Sequence, residues 1–468
     1  MIRRQTIPPR QYRAYNWHDI DRIPQLRRFS PPDRQAIKAV AAVLPFRINN
    51  YVVEDLIRWD DIPEDPIFQL TFPQPGMLAN KDFQRMYRLV GNNAAPEKIV
   101  RQARRIQRHL NPHPAGQMEL NVPRINGTPL PGMQHKYRET LLFFPRQGQT
   151  CHSYCTYCFR WPQFIGIDTL KFASREAEAL VTYLREHTEV SDVLFTGGDP
   201  LIMKSHILQR YIEPLLAPEL DHISSIRIGT KAMSFWPYRF LTDDDAGDVL
   251  RLFEKVHRAG RQLAVMAHYS HPRELEPLVA QVALKRIRDT GAVVRCQAPL
   301  VRHVNDSART WAELWRKEVR LGAVPYYMFV GRNTGAKNYF EVPLAEVYEI
   351  FRKAYSRVSG LARTVRGPTM SATPGKVIIQ GVAHIGGEKV FVLVLEQGRE
   401  PEWVRKPFFA CYSPTATWLN ELTPAFGEKE FFFQPLMRQF KRVRRQSAWS
   451  QTLDRQEPPI VFGHVEWE

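Results

Sequence analysis

The sequence predicts an α/β fold built around a parallel sheet. Between residues 140 and 330, short apolar β-rich runs alternate with amphipathic helical stretches, which gives six β-α units. The expected strands are Thr140–Phe144, Val193–Thr196, Ser225–Gly229, Gln262–His268, Ala292–Ala298 and Val324–Val330. Such a sheet is either doubly wound or curved into a barrel or partial barrel. In both cases ligands bind at the carboxyl ends of the strands.

Two regions of different character flank this part of the chain. Residues 1–135 are predicted to form a helical wrapping region, with helices over Asp33–Leu44 and Ala95–Leu110 and several prolines between elements. Residues 136–340 hold the β-α units, and residues 341–468 form a β-rich C-terminal region. The last part of that region, from about residue 385, matches no motif and is expected to be an extension.

Composition excludes several classes of protein. Of the 468 residues, 44% are hydrophobic and 24% charged, which is ordinary globular composition rather than that of a disordered or fibrous chain. No apolar run reaches the roughly 18 residues of a membrane helix. The basic N-terminus is followed by no apolar signal segment, so we expect a cytoplasmic protein without a membrane partner.

The net charge favours anionic partners. Lys plus Arg number 65 against 48 Asp plus Glu, an excess of +17, which suits nucleic acid, a phosphorylated cofactor or a carboxylate substrate. The basic run at 438–445 contains a single aromatic residue, Phe440, so a solvated surface is the better interpretation and nucleic acid is not the expected partner.

Three cysteines form the most specific motif. Cys151, Cys155 and Cys158 have the spacing C-x3-C-x2-C and follow the first expected strand. Three thiolates bind three corners of a [4Fe-4S] cluster and leave one iron open to a ligand. The alternative, a structural zinc, needs four ligands, and His152 is too near Cys151 to complete the set comfortably. The isolated Cys296 and Cys411 are most simply small apolar core residues.

This motif, with an aromatic residue before its last cysteine, resembles the radical S-adenosylmethionine superfamily. The resemblance implies a partial (β/α)6 barrel in which the open iron binds S-adenosylmethionine and reduction releases a 5′-deoxyadenosyl radical. The superfamily has a glycine-rich turn after the second strand, and here Thr196-Gly197-Gly198-Asp199-Pro200 stands there. Tyr157, Gly197, Gly198 and Asp199 are thereby expected to contact S-adenosylmethionine.

Further segments resemble one branch, the lysine 2,3-aminomutase family. Arg160, two places after the last cysteine, corresponds to the arginine that holds the substrate α-carboxylate in that family. The segments beginning at His268 and Gln297 resemble two more family motifs, which implies that both side chains face S-adenosylmethionine. The segment Ser371–Lys376 resembles the one whose lysine binds pyridoxal phosphate covalently, so Lys376 is the expected cofactor lysine.

A fourth segment resembles the family's cofactor site incompletely. In His135-Lys136-Tyr137-Arg138, the residues Lys136 and Tyr137 match those around the pyridoxal phosphate. The second arginine of the family's motif falls near Glu139 or Thr140 and is missing, and Arg138 is the candidate replacement.

Departures from the family bear on substrate and metal. Lysine-specific members recognise the substrate ammonium with two aspartates, whereas Arg332 and Ser371 stand near those positions here. An arginine repels an ammonium and attracts a carboxylate, so we expect glutamate or another acidic substrate first and lysine second. The alternatives are that Arg332 points to solvent or that the alignment slips by one residue. Ser307 and a lone Cys411 replace the family's zinc cysteines, so no structural zinc is expected.

The leading hypothesis is therefore a radical S-adenosylmethionine isomerase, a pyridoxal phosphate-dependent 2,3-aminomutase that moves an α-amino group to the β-carbon. It requires an electron donor such as flavodoxin or ferredoxin, and a homo-oligomer is left open. A second hypothesis keeps the radical cluster but acts on a peptide or other metabolite without pyridoxal phosphate. A third, a zinc-stabilised nucleic-acid-binding protein, predicts zinc and no iron.

Overall fold

The computed structural model describes residues 7–167, 171–174, 176–440 and 442. In this part of the chain the strands, numbered in chain order, are β1 (Ala14–Asn16), β2 (Arg47–Asn49), β3 (Arg124–Ile125), β4 (Thr128–Pro129), β5 (Met133–Tyr137), β6 (Thr140–Phe143), β7 (Asp192–Phe195), β8 (Ser225–Thr230), β9 (Gln262–His268), β10 (Val293–Leu300), β11 (Val324–Val330), β12 (Arg366–Ser371), β13 (Gly375–Ile385), β14 (Glu388–Gly398) and β15 (Pro407–Cys411).

The α-helices, numbered in the same way, are α1 (Pro31–Ala41), α2 (Pro66–Thr71), α3 (Asn80–Gly91), α4 (Pro96–His109), α5 (Gln117–Leu120), α6 (Ala177–Glu186), α7 (Ser205–Ile212), α8 (Ala232–Phe235), α9 (Ala246–Arg258), α10 (Leu278–Asp289), α11 (Ala308–Arg320), α12 (Lys337–Phe340) and α13 (Leu344–Tyr355). Among the described helices, none has the length and apolar character that crossing a membrane requires.

The large sheet contains β5 to β15 side by side in chain order. Strands β6 to β12 run parallel, while β5 at one edge and β13 to β15 at the other are antiparallel to their neighbours. Chain order without a reversal distinguishes this sheet from a doubly wound one. The α/β prediction is confirmed, and the six expected strands are present to within two residues at each end. The parallel strand β12 was not predicted.

The sheet is strongly curved. Lys136 on β5 donates a hydrogen bond to the carbonyl of Ala372, which follows β12. Six strands lie between these two, so in a flat sheet they would be about 34 Å apart at a spacing of about 4.8 Å. A single lysine side chain bridges them only because the sheet bends round a common interior.

Side chains alternate between this interior and the surrounding helices, as the two-residue period of a strand requires. On β10, Gln297 and Pro299 face the interior cavity, whereas Cys296 and Ala298 lie in the apolar core with the helices. The inner face of the sheet is therefore free to carry polar residues without loss of the core.

The N-terminal region packs over the strand ends. Its apolar core includes Trp236, Val301 and Phe340 from the loops and helices that follow the parallel strands. The predicted boundary at 135/136 falls inside β5, and β12 to β15 extend the same sheet beyond residue 340. The second and third predicted regions thus share one sheet, which the first enters only at the start of β5. The pairs β1 with β2 and β3 with β4 form separate two-stranded sheets. Residues 443–468, with the end of the basic run, lie outside the described residues.

Candidate active site

A cavity of about 310 Å³ lies inside the curved sheet. Every residue that the sequence nominated for the site except Arg138 lines it: Lys136, Tyr137, Cys151, Cys155, Tyr157, Cys158, Arg160, Gly197, Gly198, Asp199, His268, Gln297, Arg332, Ser371 and Lys376. These residues are up to 240 positions apart in the chain. Their convergence is the fold's main contribution to the site.

The cysteine loop follows β6 and is held by the N-terminal region. The amide of Asn49 donates to the carbonyl of His152 at 3.2 Å. The backbone N–H of Tyr154 donates to Arg47 at 2.8 Å, and that of Thr156 donates to Leu70 at 2.9 Å. A loop with no regular structure is thereby fixed by partners more than 80 residues earlier. Sequence reasoning missed these partners, since none belongs to a motif.

The three cysteine sulfurs are not gathered around one point. In the described ranges, one set of three ligand side chains has its ligand atoms within 4.8 Å of one another, namely His135, His187 and Glu189, and the cysteines are not in it. A tetrahedral zinc with Zn–S bonds of about 2.3 Å requires sulfurs about 3.8 Å apart. At least one pair of the three sulfurs lies more than 4.8 Å apart, so the cysteine side chains are not arranged as a closed zinc site.

Burial of these thiols also affects their protonation. Burial raises the pKa of Cys155 to about 12 and that of Cys158 to about 11. Thiols in this setting keep their protons at neutral pH unless a metal replaces them, because the buried thiolate has too little compensating charge. The donor set therefore fits iron bound by three thiolates.

The glycine-rich turn after β7 lies directly against the cysteine loop. A Cβ on Gly198 would come within 2.5 Å of the backbone nitrogen and oxygen of Thr150, the residue before Cys151. The N–H of Asp199 donates to the Thr150 carbonyl at 2.7 Å. Only glycine permits this approach.

Asp199 has a supporting role in the geometry. Its carboxylate accepts hydrogen bonds from the Thr230 hydroxyl at 2.8 Å, the Lys231 N–H at 2.8 Å and the Leu201 N–H at 3.0 Å. These partners tie the turn after β7 to the end of β8. The carboxylate is thus engaged within the protein and positions the turn.

Two neutral polar side chains face the cavity from adjacent strands. His268 on β9 is in register with Gln297 on β10, and the Gln297 amide donates to the His268 ring at 2.9 Å. Burial lowers the pKa of His268 to about 3, so the ring is neutral at physiological pH. The Tyr157 hydroxyl bonds to Ser270 at 2.8 Å, which leaves its ring to line the cavity.

Lys376 is the second residue of β13 and is paired with Ser371 of β12. Its amine lies 4.5 Å from the centre of the Tyr327 ring and 5.9 Å from that of Tyr137. Burial lowers the pKa of Lys376 to about 7, and the nearby cation of Arg227 acts in the same direction. A large neutral fraction at pH 7 makes this amine a nucleophile, as imine formation with an aldehyde requires.

Two guanidinium groups share one aromatic ring in the cavity. Arg332 lies 4.5 Å and Arg160 lies 4.8 Å from the centre of Phe159. Burial lowers the pKa of Arg160 to about 9 and that of Arg332 to about 10. The alternative that Arg332 points to solvent is therefore wrong.

Neither guanidinium has an acidic partner. In the described part of the chain no carboxylate forms an ion pair with Arg160 or Arg332, and Nη1 of Arg332 is buried without a hydrogen-bond acceptor. Buried cations are normally paired. Two buried guanidinium groups without acidic partners can accept an anionic ligand.

Arg138, the candidate for the missing arginine of the cofactor motif, is exposed and does not line the cavity. That suggestion is wrong, because Arg138 lies at the turn between β5 and β6, beyond the strand face that meets the interior.

Three thiols on the loop after the first parallel strand, a glycine turn against them and a buried lysine are the features of a radical S-adenosylmethionine enzyme that also binds a carbonyl cofactor. Comparison with known proteins narrows this class. No family model matches. The chain is 30% identical over 250 residues to L-lysine 2,3-aminomutase of Escherichia coli, covering 52% of this chain and 68% of the relative.

Two further relatives agree. A protein of Aquifex aeolicus provisionally named L-lysine 2,3-aminomutase is 29% identical over 397 residues, covering 85% of this chain and 92% of its own. L-lysine 2,3-aminomutase of Haemophilus influenzae is 28% identical over 247 residues, 52% of this chain and 69% of its own. The chain belongs to the lysine 2,3-aminomutase family of radical S-adenosylmethionine isomerases, which use a [4Fe-4S] cluster, S-adenosylmethionine and pyridoxal phosphate.

Solved structures are more distant. A radical SAM methyltransferase from Sphaerobacter thermophilus superposes with a TM-score of 0.37 at 15% identity, covering 50% of this chain and 68% of its own. Streptococcus suis SuiB bound to S-adenosylmethionine gives a TM-score of 0.33 at 12% identity, covering 58% of this chain and 56% of its own. The family assignment rests on the sequence relatives.

Proposed function

We propose that this protein is a pyridoxal phosphate-dependent 2,3-aminomutase whose substrate is glutamate or another amino acid with an acidic side chain, with lysine second. The observation that carries the choice of substrate is the unpaired arginine pair, Arg160 and Arg332, in the same cavity as the cysteines and Lys376. A dicarboxylate supplies one anion to each guanidinium.

Each arginine then has a distinct task. Arg160 follows the cysteine loop and binds the α-carboxylate, which keeps the reacting carbons beside the cluster. Arg332, at the end of β11, binds the side-chain carboxylate, with Ser371 available as a hydroxyl donor across the cavity. The planar fork of a guanidinium binds a carboxylate through two hydrogen bonds, so two such contacts fix both ends of the substrate.

The remaining residues prepare the site for radical chemistry. When bound, the reduced cluster and S-adenosylmethionine supply a 5′-deoxyadenosyl radical, and pyridoxal phosphate supplies a π-system that stabilises an adjacent radical. Lys376 offers a neutral amine to hold the aldehyde cofactor and releases it to the substrate amine. Tyr137 and Tyr327 flank that amine. His268 and Gln297 present neutral donors and acceptors, and the surrounding apolar side chains exclude water.

The curved sheet is, on this proposal, the partial (β/α)6 barrel of the superfamily. The support is the chain order of the parallel strands and the contact between Lys136 and Ala372 across the interior. Both place the strand ends around one cavity, with the cysteine loop at the end of β6.

An acidic protein is the proposed electron donor, and α4 is its docking surface. Five basic residues of α4 are exposed and form no ion pair within the described residues: Lys98, Arg101, Arg104, Arg105 and Arg108. Gln107 of the same helix and Tyr154 of the cysteine loop line one cavity of about 380 Å³, which brings this surface close to the cluster loop. Replacing three of these arginines by glutamate should slow reduction by flavodoxin and leave reduction by dithionite unchanged.

The test of the function begins with anaerobic reconstitution with iron, sulfide and pyridoxal phosphate. Borohydride trapping and peptide mapping should then place the pyridoxyl adduct on Lys376, and Lys376→Arg should give none. No adduct, or one elsewhere, would favour the enzyme that works without pyridoxal phosphate. Zinc in place of iron would favour the nucleic-acid-binding protein.

A second experiment identifies the substrate. The loaded enzyme is incubated with glutamate, lysine and arginine, and the products are examined for β-amino acids. We expect β-glutamate to form fastest. Preferential conversion of lysine would refute the role of Arg332 while preserving the aminomutase.

A further inference from the structure

The C-terminal extension forms part of the wall of the active-site cavity. Gln397 on β14 is in register with Lys376 on β13, and both side chains line the cavity. A Cβ on Gly375 would lie 2.0 Å from the Gln397 carbonyl, so the strands approach each other closely because residue 375 is glycine. Strand β14 therefore belongs structurally to the site, although no family motif covers it.

Arg399, one residue beyond this strand, donates hydrogen bonds to the turn that precedes Lys376. Its Nε donates to the Thr373 carbonyl at 2.9 Å, and its backbone N–H donates to the Pro374 carbonyl at 3.0 Å. Lys136 holds the same turn from the opposite side through the Ala372 carbonyl. The turn from which the cofactor lysine projects is thus fixed between two cations.

Arg399 also reaches the edge of the cavity. Its Nη2 donates to the side-chain oxygen of Asn121, and Nη1 donates to the Leu120 carbonyl at 3.4 Å. Asn121 lines the cavity together with Gln117, Gln134 and Lys136. This end of the cavity therefore combines an ammonium with several amide groups, and Arg399 lies directly behind it. Such a set of donors suits the oxygens of a phosphate.

We infer that Arg399 supplies the cation that the cofactor motif lacks at positions 139 and 140. It acts as a positioning residue, which holds Asn121 and the turn at 372–374 against Lys136 and makes this end of the cavity attractive to the phosphate of pyridoxal phosphate. The inference rests on the proposed function, since it assumes that Lys376 binds this cofactor. It assigns a role to an extension that no family motif covers.

The charge of Arg399 is felt at this end of the cavity. Burial is the main cause that lowers the pKa of Lys136, and the Arg399 cation is the next largest cause. Two cations that repel each other in the free protein are stabilised together by a bound dianion. The effect of Arg399 should accordingly depend on the phosphate rather than on the pyridine ring.

The test compares pyridoxal phosphate with pyridoxal, which has the same aldehyde and no phosphate. Dissociation constants are measured by the visible absorbance of the protein-bound cofactor and by borohydride trapping on Lys376, for the wild type and for Arg399→Gln, Arg399→Lys and Lys429→Gln. Lys429 is exposed on the same extension and serves as the matched control. Circular dichroism and thermal unfolding establish that each variant is folded.

We expect Arg399→Gln to weaken pyridoxal phosphate binding about 10-fold and to leave pyridoxal binding nearly unchanged. Arg399→Lys should keep most of the affinity, and Lys429→Gln should match the wild type. Equal weakening of both ligands would mean a purely structural role and would overturn the inference, as would no weakening at all. If Arg399→Gln does not fold, loss of phosphate preference in Arg399→Lys overturns it instead. Absence of an adduct in the wild type would overturn the proposed function as well.

Discussion

Replacing Arg332 by methionine tests the most specific claim about the substrate. The change keeps an unbranched, flexible side chain, although a shorter one, and removes its charge and hydrogen bonds. If Arg332 binds the side-chain carboxylate of glutamate, the variant leaves that carboxylate buried and unpaired, which typically costs about 2 to 5 kcal/mol. We therefore expect kcat/KM for glutamate to fall by about 30-fold to about 5,000-fold, at about 1.36 kcal/mol per tenfold.

The same variant should not destabilise the protein. Both guanidinium groups lie within 5 Å of the centre of the Phe159 ring, so their separation is no more than about 9 Å and they repel by about 2 kcal/mol at an effective dielectric constant of about 20. Methionine removes this repulsion and a buried unpaired charge. The free energy of unfolding of Arg332→Met, measured in urea, should equal or exceed that of the wild type.

The assay is steady-state turnover of glutamate and of lysine by the reconstituted enzyme, with the exposed Arg309→Met as matched control. Arg332→Asp is the complementary variant, since an acid at this place attracts the lysine ammonium and repels the glutamate carboxylate. Its ratio of lysine to glutamate turnover should rise relative to the wild type. Unchanged glutamate turnover in Arg332→Met would refute the reasoning. A loss of turnover in a variant that keeps its stability would support it, because unfolding is then excluded as the cause.

Three further outcomes follow from the site. The rate of imine formation between Lys376 and pyridoxal phosphate should rise with pH and be half-maximal near pH 7, since burial lowers the pKa of this amine to about 7 and only the neutral form attacks; a rate independent of pH between 6 and 8 would contradict it. Gly198→Ala should weaken S-adenosylmethionine binding at least about 10-fold, because the added methyl forces the turn away from Thr150 at a cost of about 2 kcal/mol or more. Equilibrium dialysis measures the binding, with Gly360→Ala at an exposed position with open space as the control. Asn49→Leu should lower the free energy of unfolding by about 2 to 4 kcal/mol and reduce iron retention. The buried carbonyls of His152 and Phe235 lose their hydrogen bonds from the Asn49 amide in this variant. Full iron content in the variant would show that the cysteine loop does not depend on Asn49.

Local patterns in the sequence were sufficient for the cluster and for the parallel strands. The cysteine spacing is contained in eight residues, and apolar runs between amphipathic helices predict the strands. Strand β12 was not predicted because its Gly367-Pro368 pair is typical of a turn. Proline is accommodated there because the strand pairs with β11 at only two positions, on either side of a shift in register.

Contacts between distant segments could not be predicted from the sequence. The role of Asn49 depends on the packing of a three-residue strand against the cysteine loop, and that of Arg399 depends on the register between β13 and β14. Neither register nor docking leaves a periodic signal in one chain. The burial of Arg332 is of the same kind, since the residue after a strand end faces the cavity or the solvent according to the path of the following loop.

The distribution of charge explains part of the excess of +17 in the whole chain. Lys136, Arg160 and Arg332 face one cavity, and ion pairs with acidic residues of the described chain satisfy none of them. In the free protein these cations repel one another and lose hydration, so the site is held together by the surrounding sheet at an energetic cost. On the proposed function, the cofactor phosphate and the substrate carboxylates would occupy it, and ligands that bind the folded state alone stabilise it by mass action. On the proposed function, the cavity would therefore select anions before any particular contact forms, and Arg332 would favour a carboxylate over an ammonium at the far end of the substrate.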